Sequence, residues 1–310
     1  MTKSKILITG GAGSCGRYLA QRFLERGFVV RVIDKDAAPL QAIKNDRLEV
    51  IQAGLEDQGA VKKAVEGTDA ILHLAWSFSE FALEVFEQDL LGHIYLLEEA
   101  AAQKVKHLVY ASTAVVYGKP IRSPIDEEHP LLVEKARKPL YGITKAAAEK
   151  LCVMYSKEGK LPSTVIRFWW AYGDDIGGKH LRSMLKTAAA GEPLEVPENA
   201  GGSFLHMEDL AEGFEKSLLN PAAFSETFNL ATCYVLWKDV AEIARDVTGS
   251  SSEICVIPGE EWKGAAFLND PWELSDAKAR SLLGVRPKEA APARESLEKA
   301  IAACWAGMNK

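Results

Sequence analysis

Cysteine is sparse in this 310-residue chain: Cys15, Cys152, Cys233, Cys255 and Cys304 are odd in number, widely spaced and form no C-x-x-C pair. That pattern argues against a disulfide framework and a zinc site alike, so reduced, mainly structural thiols are expected. Long apolar runs are missing too. No segment approaches the ~20 apolar residues of a membrane-spanning helix, and the start MTKSK leads into a core strand rather than a signal peptide. A cytoplasmic location without a membrane partner is therefore expected. Excess positive charge is absent: the net charge is −6 and the basic residues are scattered, which leaves no electrostatic footprint for nucleic acid or an anionic membrane. Six histidines include no H-E-x-x-H or similar ligand spacing, so no metal is expected. Neither an internal repeat nor a low-complexity segment is found. A small-molecule substrate is what these exclusions leave.

What is present begins at the amino terminus. The apolar run KILIT, Lys5 to Thr9, reads as a buried strand and leads straight into GGAGSCGRYLAQRFLERG. Strand, glycine-rich turn and helix in that order make a dinucleotide-binding fingerprint. Gly10 or Gly11 permits the tight turn, Gly13 lets backbone approach a pyrophosphate, and Gly16 allows close packing of helix on strand. Ser14 and Cys15 stand at the amino-terminal end of the helix, where N–H groups and the positive dipole end face phosphate. A second strand, FVVRVID, ends in Asp34, close to the ~20 residues beyond the glycines expected of a ribose-binding carboxylate. A carboxylate there accepts from a 2′-hydroxyl and repels a 2′-phosphate, so NAD is expected rather than NADP; the adjacent Lys35 works slightly the other way.

Strand-like and helix-like segments then alternate, as βαβ units do when a parallel sheet is covered on both faces. LEVIQ, DAILHLA, KHLVYAS, STVIRF and TFNLA read as further strands. Helices are predicted at 17–26, 57–65, 86–103, 141–158, 180–190, 207–219 and 237–248. The region 173–203 interrupts the alternation, and the tail from Glu253 reads as short mixed elements. The expected fold class is α/β, a Rossmann-type doubly wound parallel sheet with a smaller C-terminal substrate-binding lobe. Residues 1–170 would form the NAD-binding domain, completed by about 205–235, and 171–204 with 236–310 the lobe. This length suits one such domain with an appended lobe.

Tyr141 and Lys145 in KPLYGITKAAAEKL are four apart, hence on one face of a helix. An ammonium beside a phenol favours the phenolate and would lower a pKa that is otherwise near ~10. YASTAVVYG puts Ser112 and Thr113 at a strand's carboxyl end, where open α/β sheets bind ligands. Hydroxyl, phenol and ammonium then surround one substrate oxygen.

Together these motifs resemble the extended short-chain dehydrogenases/reductases of the NAD-dependent epimerase/dehydratase family, nearly end to end. TGGAGSCG resembles the glycine motif, HLAW (His73 to Trp76) the fourth-strand motif, STAVVYG the catalytic hydroxyl region and YGITK the active-site motif. RFWWAYG, FLHMEDLAEG, FNLAT and LSDAKARSLLGVRP resemble later landmarks. The resemblance implies Tyr141 as acid/base, Lys145 as its electrostatic partner and ribose ligand, and Thr113, with Ser112 just before it, as the hydroxyl that orients the substrate oxygen. It also implies Leu74 and Ala75 as cofactor contacts. Pairing of the helices at 86–103 and 141–158 would make a homodimer, although Leu90, Leu91, Ile94 and Leu97 are equally explained by packing on the chain's own sheet.

Departures from the family pattern bear on the substrate. Gly202 stands where nucleotide-sugar epimerases usually carry a diphosphate-gripping Arg, Phe267 and Leu268 where another is usual, and Trp170 where a substrate-binding Asn is common. Each lost Arg removes a strong charge-assisted contact, with Lys179, Arg182 and Lys186 as the candidate replacement cations. Thr113 is followed by Ala114 and Val115 rather than the Asp-Glu of dehydratases. Gly54 replaces an adenine-binding Asp, leaving the Leu55 backbone as substitute. Trp76, Phe78, Phe81, Trp169 and Trp170 suggest an aromatic rim, with one of the last two facing the core; Trp76, Thr113 and Trp170 are the candidate substrate contacts. His73 and His206 are expected to pin loops by backbone hydrogen bonds, and the run Asp126-Glu127-Glu128 to be solvated. The expected activity is NAD-dependent hydride transfer at a secondary alcohol or ketone carbon of a sugar, polyol or related small molecule. An epimerase with tightly held NAD and an NAD-sensing binding protein remain as alternatives.

Overall fold

The computed structural model of the protein describes residues 4–174 and 176–309; the first three residues of the MTKSK start lie outside them. The first half of the chain runs β1 (Lys5–Thr9), α1 (Ser14–Glu25), β2 (Val29–Asp34), β3 (Leu48–Gln52), α2 (Gln58–Val65), β4 (Ala70–His73), a single turn α3 (Ala82–Glu84), a π-helical segment Val85–Leu91, α4 (Gly92–Ala102), β5 (His107–Ala111), α5 (Pro139–Lys157) and β6 (Ser163–Arg167). It continues through β7 (Trp170–Tyr172), α6 (Lys179–Ala189), β8 (Leu194–Pro197), β9 (Gly201–His206), α7 (Met207–Ser217), β10 (Thr227–Asn229), β11 (Cys233–Leu236), α8 (Trp237–Thr248), β12 (Ile254–Ile257), β13 (Pro271–Trp272), α9 (Ala277–Leu283) and α10 (Ala290–Met308).

A seven-stranded sheet ordered β10-β6-β5-β4-β1-β2-β3 forms the centre, and every pair in it is parallel. This is the expected doubly wound architecture. Helices cover both faces, so its strands read as continuous apolar runs instead of alternating. Within β1, Ile6 and Ile8 pack with Leu19, Phe23 and Leu24 of α1 on one face. Leu7 points the other way, into Val61 and Val65 of α2 and Leu96 and Leu97 of α4, as the two-residue period of a strand requires. Strand order reverses between β1 and β4, opening a crevice at their carboxyl ends.

A buried ion pair ties the site-bearing elements together. Arg167 at the end of β6 donates twice to Glu149 of α5, Nε to Oε1 at 2.9 Å and Nη2 to Oε2 at 2.7 Å, with both side chains almost fully enclosed. Ser112 Oγ, just past β5, donates to the same carboxylate, and Arg167 Nη1 reaches the Tyr117 hydroxyl at 3.0 Å. Tyr117 in turn donates to Asn229 Oδ1 at 2.7 Å. The acidic run expected to be solvated is partly drawn into this network: Glu127 Oε1 accepts from the Asn229 N–H at 2.7 Å, and burial raises its pKa.

Beyond β6, smaller sheets take over. β11, β9 and β13 form one with β7 paired to β9, and β12 pairs with β8. Their common core is Phe204, Leu185, Trp237 and Ile243, closed by Leu297, Ile301 and Cys304 of α10. The 19-residue α10 corrects the reading of the tail as short mixed elements. Three of its five buried residues, Ala293, Ala300 and Cys304 beside Leu297 and Ile301, are small, which lowers the contrast with the solvent face that marks a helix by period.

Removing one member of a buried ion pair leaves the other charge uncompensated, at a cost of about 3–5 kcal/mol. Glu149→Ala is expected to lower stability by that order, read as a fall in the urea midpoint, whereas the double change E149L/R167M recovers most of it. A midpoint unmoved by the single change would show the pair to be dispensable.

Candidate functional site

The carboxyl ends of β1, β2, β4 and β5 open into a cleft of about 780 Å³. Its glycine loop is shaped by close approach. Gly10 has φ +69, and a Cβ there would lie 2.6 Å from Ala75 N; on Gly16 it would lie 2.2 Å from Gly10 O. Gly10, not Gly11, therefore makes the left-handed turn, and Gly16 lets α1 sit against it. Gly13 differs: a Cβ would meet only Gly10 O, at 3.4 Å, so its missing side chain leaves clear space in front of the α1 amino terminus. Asp34 Oδ2 accepts from Ala12 N–H at 2.9 Å, holding the carboxylate beside the loop. Gly10, Gly13, Ser14, Cys15, Gly16, Asp34, Leu55, Leu74 and Ala75 all line this cleft. Clear phosphate-facing backbone next to a fixed carboxylate fits a dinucleotide. Burial pushes the Cys15 thiol up to about 11, which keeps it protonated and unreactive.

At the other end of the same cleft stand Ser112, Thr113, Tyr141 and Lys145. Thr113 caps the short helix that follows it, its Oγ1 accepting from Val115 N–H at 3.2 Å, and its side chain lines the cleft together with Tyr141. Ser112 lines the cleft, but its hydroxyl is engaged by Glu149, which makes it a structural partner of the ion pair. Lys145 is buried, with Nζ donating to Ala111 O at 2.8 Å. The ammonium lies 4.4 Å from the Trp76 ring centroid and 4.7 Å from that of Tyr110, but 6.0 Å from that of Tyr141.

The expected lowering of the Tyr141 pKa by Lys145 does not hold in this geometry. Burial dominates and raises the phenol pKa, opposed only by the Thr113 hydrogen bond, while the nearby Asp89 charge adds to the rise. Lys145 is itself depressed by burial to about 7, although Asp89, Glu149 and Cys152 favour its charge. The imidazoles beneath it add no like charge: burial keeps His93 neutral, at about 3, and lowers the pKa of His73. His73 bonds the Thr9 hydroxyl at 2.6 Å instead of backbone, whereas His206 does cap α7 through Glu208 N–H at 3.2 Å.

Several cleft residues carried no mark in the sequence. Asp89, in the π-helical segment, is buried and accepts from Ser77 N–H at 2.8 Å and Ser77 Oγ at 2.7 Å; burial raises its pKa. Arg137 and Lys138 line the cleft just before α5, with the Arg137 guanidinium 4.3 Å from the Phe267 ring. Phe78, by contrast, belongs to the expected aromatic rim; it is largely exposed and stacks on Tyr141 with centroids 5.4 Å apart.

Of the candidate substrate contacts, Trp76 and Thr113 line the cleft and Trp170 does not. Its neighbour Trp169 faces the cleft instead, and Trp170 lines a second cavity. Gly202 accounts for the arrangement: a Cβ there would lie 1.9 Å from the Trp169 ring, so the tryptophan occupies the space a larger residue 202 would need. Lys179, Arg182 and Lys186, the possible substitute cations, are exposed and line neither cavity.

Lys145 generates a pH prediction. Its folded value is held near 7, against ~10.4 in an unfolded chain. Between those values the unfolded chain binds a proton that the folded chain does not, so this lysine makes stability rise with pH across that window. Compared without added cofactor, wild type is expected to gain on Lys145→Met by roughly 1 kcal/mol per pH unit from pH 7.5 to 9.5. A constant gap between their urea midpoints would refute the depressed value.

Comparison with known proteins bears on the family and the fold. The sequence matches the NAD dependent epimerase/dehydratase family over residues 6–231. A UDP-glucose 4-epimerase of Lactobacillus helveticus is 26% identical, the match covering 97% of this chain and 96% of that one. Among solved structures, a short-chain dehydrogenase/reductase superfamily protein of Agrobacterium tumefaciens with bound NAD superposes with a TM-score of 0.80, at 23% identity and 98% coverage of each chain. The UDP-glucose 4-epimerase of Thermotoga maritima with UDP-glucose does so with a TM-score of 0.77, at 21% identity, covering 99% of this chain and 100% of that one. Among the described residues no helix is long and apolar enough to cross a membrane. The chain belongs to the NAD dependent epimerase/dehydratase family of enzymes.

Proposed function

We propose that this protein transfers hydride at a secondary alcohol or ketone carbon of a sugar, polyol or related small molecule, with NAD as the redox partner and Thr113, Tyr141 and Lys145 as the working groups. The observation that carries this reading is that all three line the same cleft as the glycine loop and Asp34. The bound cofactor supplies the hydride acceptor or donor. Tyr141 exchanges a proton between its hydroxyl and the substrate oxygen. Thr113, which lines the cleft beside that phenol, orients the oxygen and shares its developing charge. Lys145 holds a positive charge near the reacting oxygen whenever it is protonated. Asp34 favours a free 2′-hydroxyl on the adenosine ribose over a phosphate. Ser112, engaged by Glu149, supports the site from behind.

A second reading, epimerisation with tightly held NAD, draws on the epimerases among the relatives. The missing arginines weigh against a nucleotide diphosphate sugar as its substrate. An NAD sensor, the third reading, would need none of the acid/base set. The partly exposed Phe86, Leu91, Ile143 and Met154 along the Val85–Leu91 segment and α5 support a homodimer through these helices, as in the pairing the family resemblance implies.

The deciding measurement is the NAD(H) released on denaturing protein purified without added cofactor. Near-stoichiometric release indicates a recycled cofactor and the epimerase reading. An empty protein that binds NAD reversibly, and more tightly than NADP, supports exchange at each turnover. Tyr141→Phe is expected to lower turnover by about 10²–10⁴-fold with NAD binding retained; undiminished turnover would remove Tyr141 from the mechanism.

A further inference from the structure

At the end of the cleft away from Tyr141, Asp34 is followed directly by a cation, Lys35, and both line the cavity. A carboxylate in this place suits a free ribose 2′-hydroxyl, whereas a neighbouring cation suits a 2′-phosphate. The two residues therefore favour opposite dinucleotides. Every other Lys or Arg among the described residues that lines the cleft belongs to α5 or to the two positions before it. The state of Lys35 thus decides whether the ribose end offers a phosphate a cationic partner.

Lys35 is already engaged. Its ammonium pairs with Glu56 Oε1 at 2.9 Å and donates to Gln88 Oε1 at 2.7 Å, while its backbone carbonyl accepts from Gln52 Nε2 at 3.2 Å. Glu56 and Gln88 line the cleft as well. They converge on the lysine from separate elements, Glu56 from the turn between β3 and α2 and Gln88 from the π-helical segment before α4. Gly54 supplies the room: a Cβ there would lie 2.2 Å from Glu56 Oε2, so the carboxylate lies where a side chain at 54 would stand. Asp34 is fixed independently, Oδ2 accepting from Ala12 N–H at 2.9 Å and Oδ1 from Asp36 N–H at 3.1 Å.

The side chains of Lys35 and Glu56 stay 51% and 46% exposed, and an ion pair so open to water adds little to stability. Its effect is local and electrostatic instead, because it cancels the charge of Lys35 beside the carboxylate that meets the ribose. We propose that Glu56 is a cofactor-specificity residue: by pairing with Lys35 it withholds that cation from a 2′-phosphate and leaves Asp34 to select the free 2′-hydroxyl of NAD. The inference rests on the placement of the adenosine ribose at Asp34 in the reading above and is independent of the hydride chemistry.

The test is calorimetric titration of the full chain with NAD and with NADP, at low and at high salt. Wild type is expected to bind NAD more tightly. Glu56→Gln is expected to gain about fivefold in NADP affinity at low salt with NAD affinity changed less than about twofold, the scale of one unit charge removed a few ångströms from a phosphate in a hydrated site. Raising the salt should shrink the gain, since exposed charges are screened. Adding Lys35→Met to Glu56→Gln should abolish it. Retained NAD binding verifies that each variant is folded. An NADP-to-NAD ratio in Glu56→Gln equal to that of wild type would overturn the inference. So would a gain that survives in the double variant, because Glu56 would then act by repelling the phosphate directly and not through Lys35. Either result, with NAD still preferred by wild type, sinks the role of Glu56 alone. A wild type that prefers NADP, or binds neither dinucleotide, sinks the ribose placement at Asp34 and the inference with it.

Discussion

One turn-by-turn stripe of α5 sets the geometry on which the cleft depends. Tyr141, Lys145 and Glu149 follow one another at intervals of four residues on this helix, so they share a face. Glu149 is clamped by Arg167 from β6 and by Ser112 from the end of β5. Because a bidentate guanidinium–carboxylate pair tolerates little rotation, the clamp fixes the helix about its own axis. Lys145 is thereby directed toward the end of β5 and Tyr141 toward the mouth of the cleft. The ion pair lies behind the cleft, yet it decides where Tyr141 and Lys145, the groups proposed for the chemistry, will stand.

The same clamp explains the unusual state of Lys145. Directed at Ala111 O and boxed by Trp76 and Tyr110, its ammonium is surrounded by ring faces and neutral imidazoles rather than water. Cation–π contacts recover part of the lost hydration. Asp89, drawn inward by the π-helical segment, contributes the largest charge attraction favouring the protonated form. Burial raises the pKa of Asp89, so it works against the charged form of both groups. A lysine poised near pH 7 carries a charge that small changes in its surroundings can add or remove. A lysine on a solvated helix face would have no such sensitivity.

Much of this was legible in the sequence because the signals are local. KILIT followed by GGAGSCG specifies strand, turn and helix within a dozen or so residues, and Y-x-x-x-K needs only the helical period. The central strands β1, β4 and β5 read as largely apolar runs because both faces are covered. What was not legible depends on contacts between distant segments. Nothing near Ser112 says that its hydroxyl will be taken by a carboxylate on another element, and the Glu127 bond to Asn229 spans 102 residues. Asp89 reaches the cleft only because wide helical turns place it there, a backbone irregularity that side-chain periodicity does not reveal. The direction of Lys145 rests on a backbone carbonyl, which every residue possesses. The small sheets escaped for a similar reason, since strands of two to six residues are set by their partners more than by their own pattern.

The departures from the family pattern are coupled rather than independent, and that coupling has chemical meaning. Gly202 and Trp169 are one change seen at two positions, because the ring occupies the volume any side chain at 202 would require. Restoring a cation there would drive a Cβ into the indole, so charge cannot return without the loss of the aromatic wall. Trp170 with Gly178 and Trp262 with Gly264 repeat the arrangement farther along. Glycines that make way for tryptophans give up the backbone restraint of a side chain, a cost that the packing of large rings offsets. A region that had merely lost phosphate contacts would gain nothing from such pairings. Trp169 lines the cleft, and Trp170 and Trp262 line the second cavity, so each glycine is matched to a ring that forms part of a cavity wall.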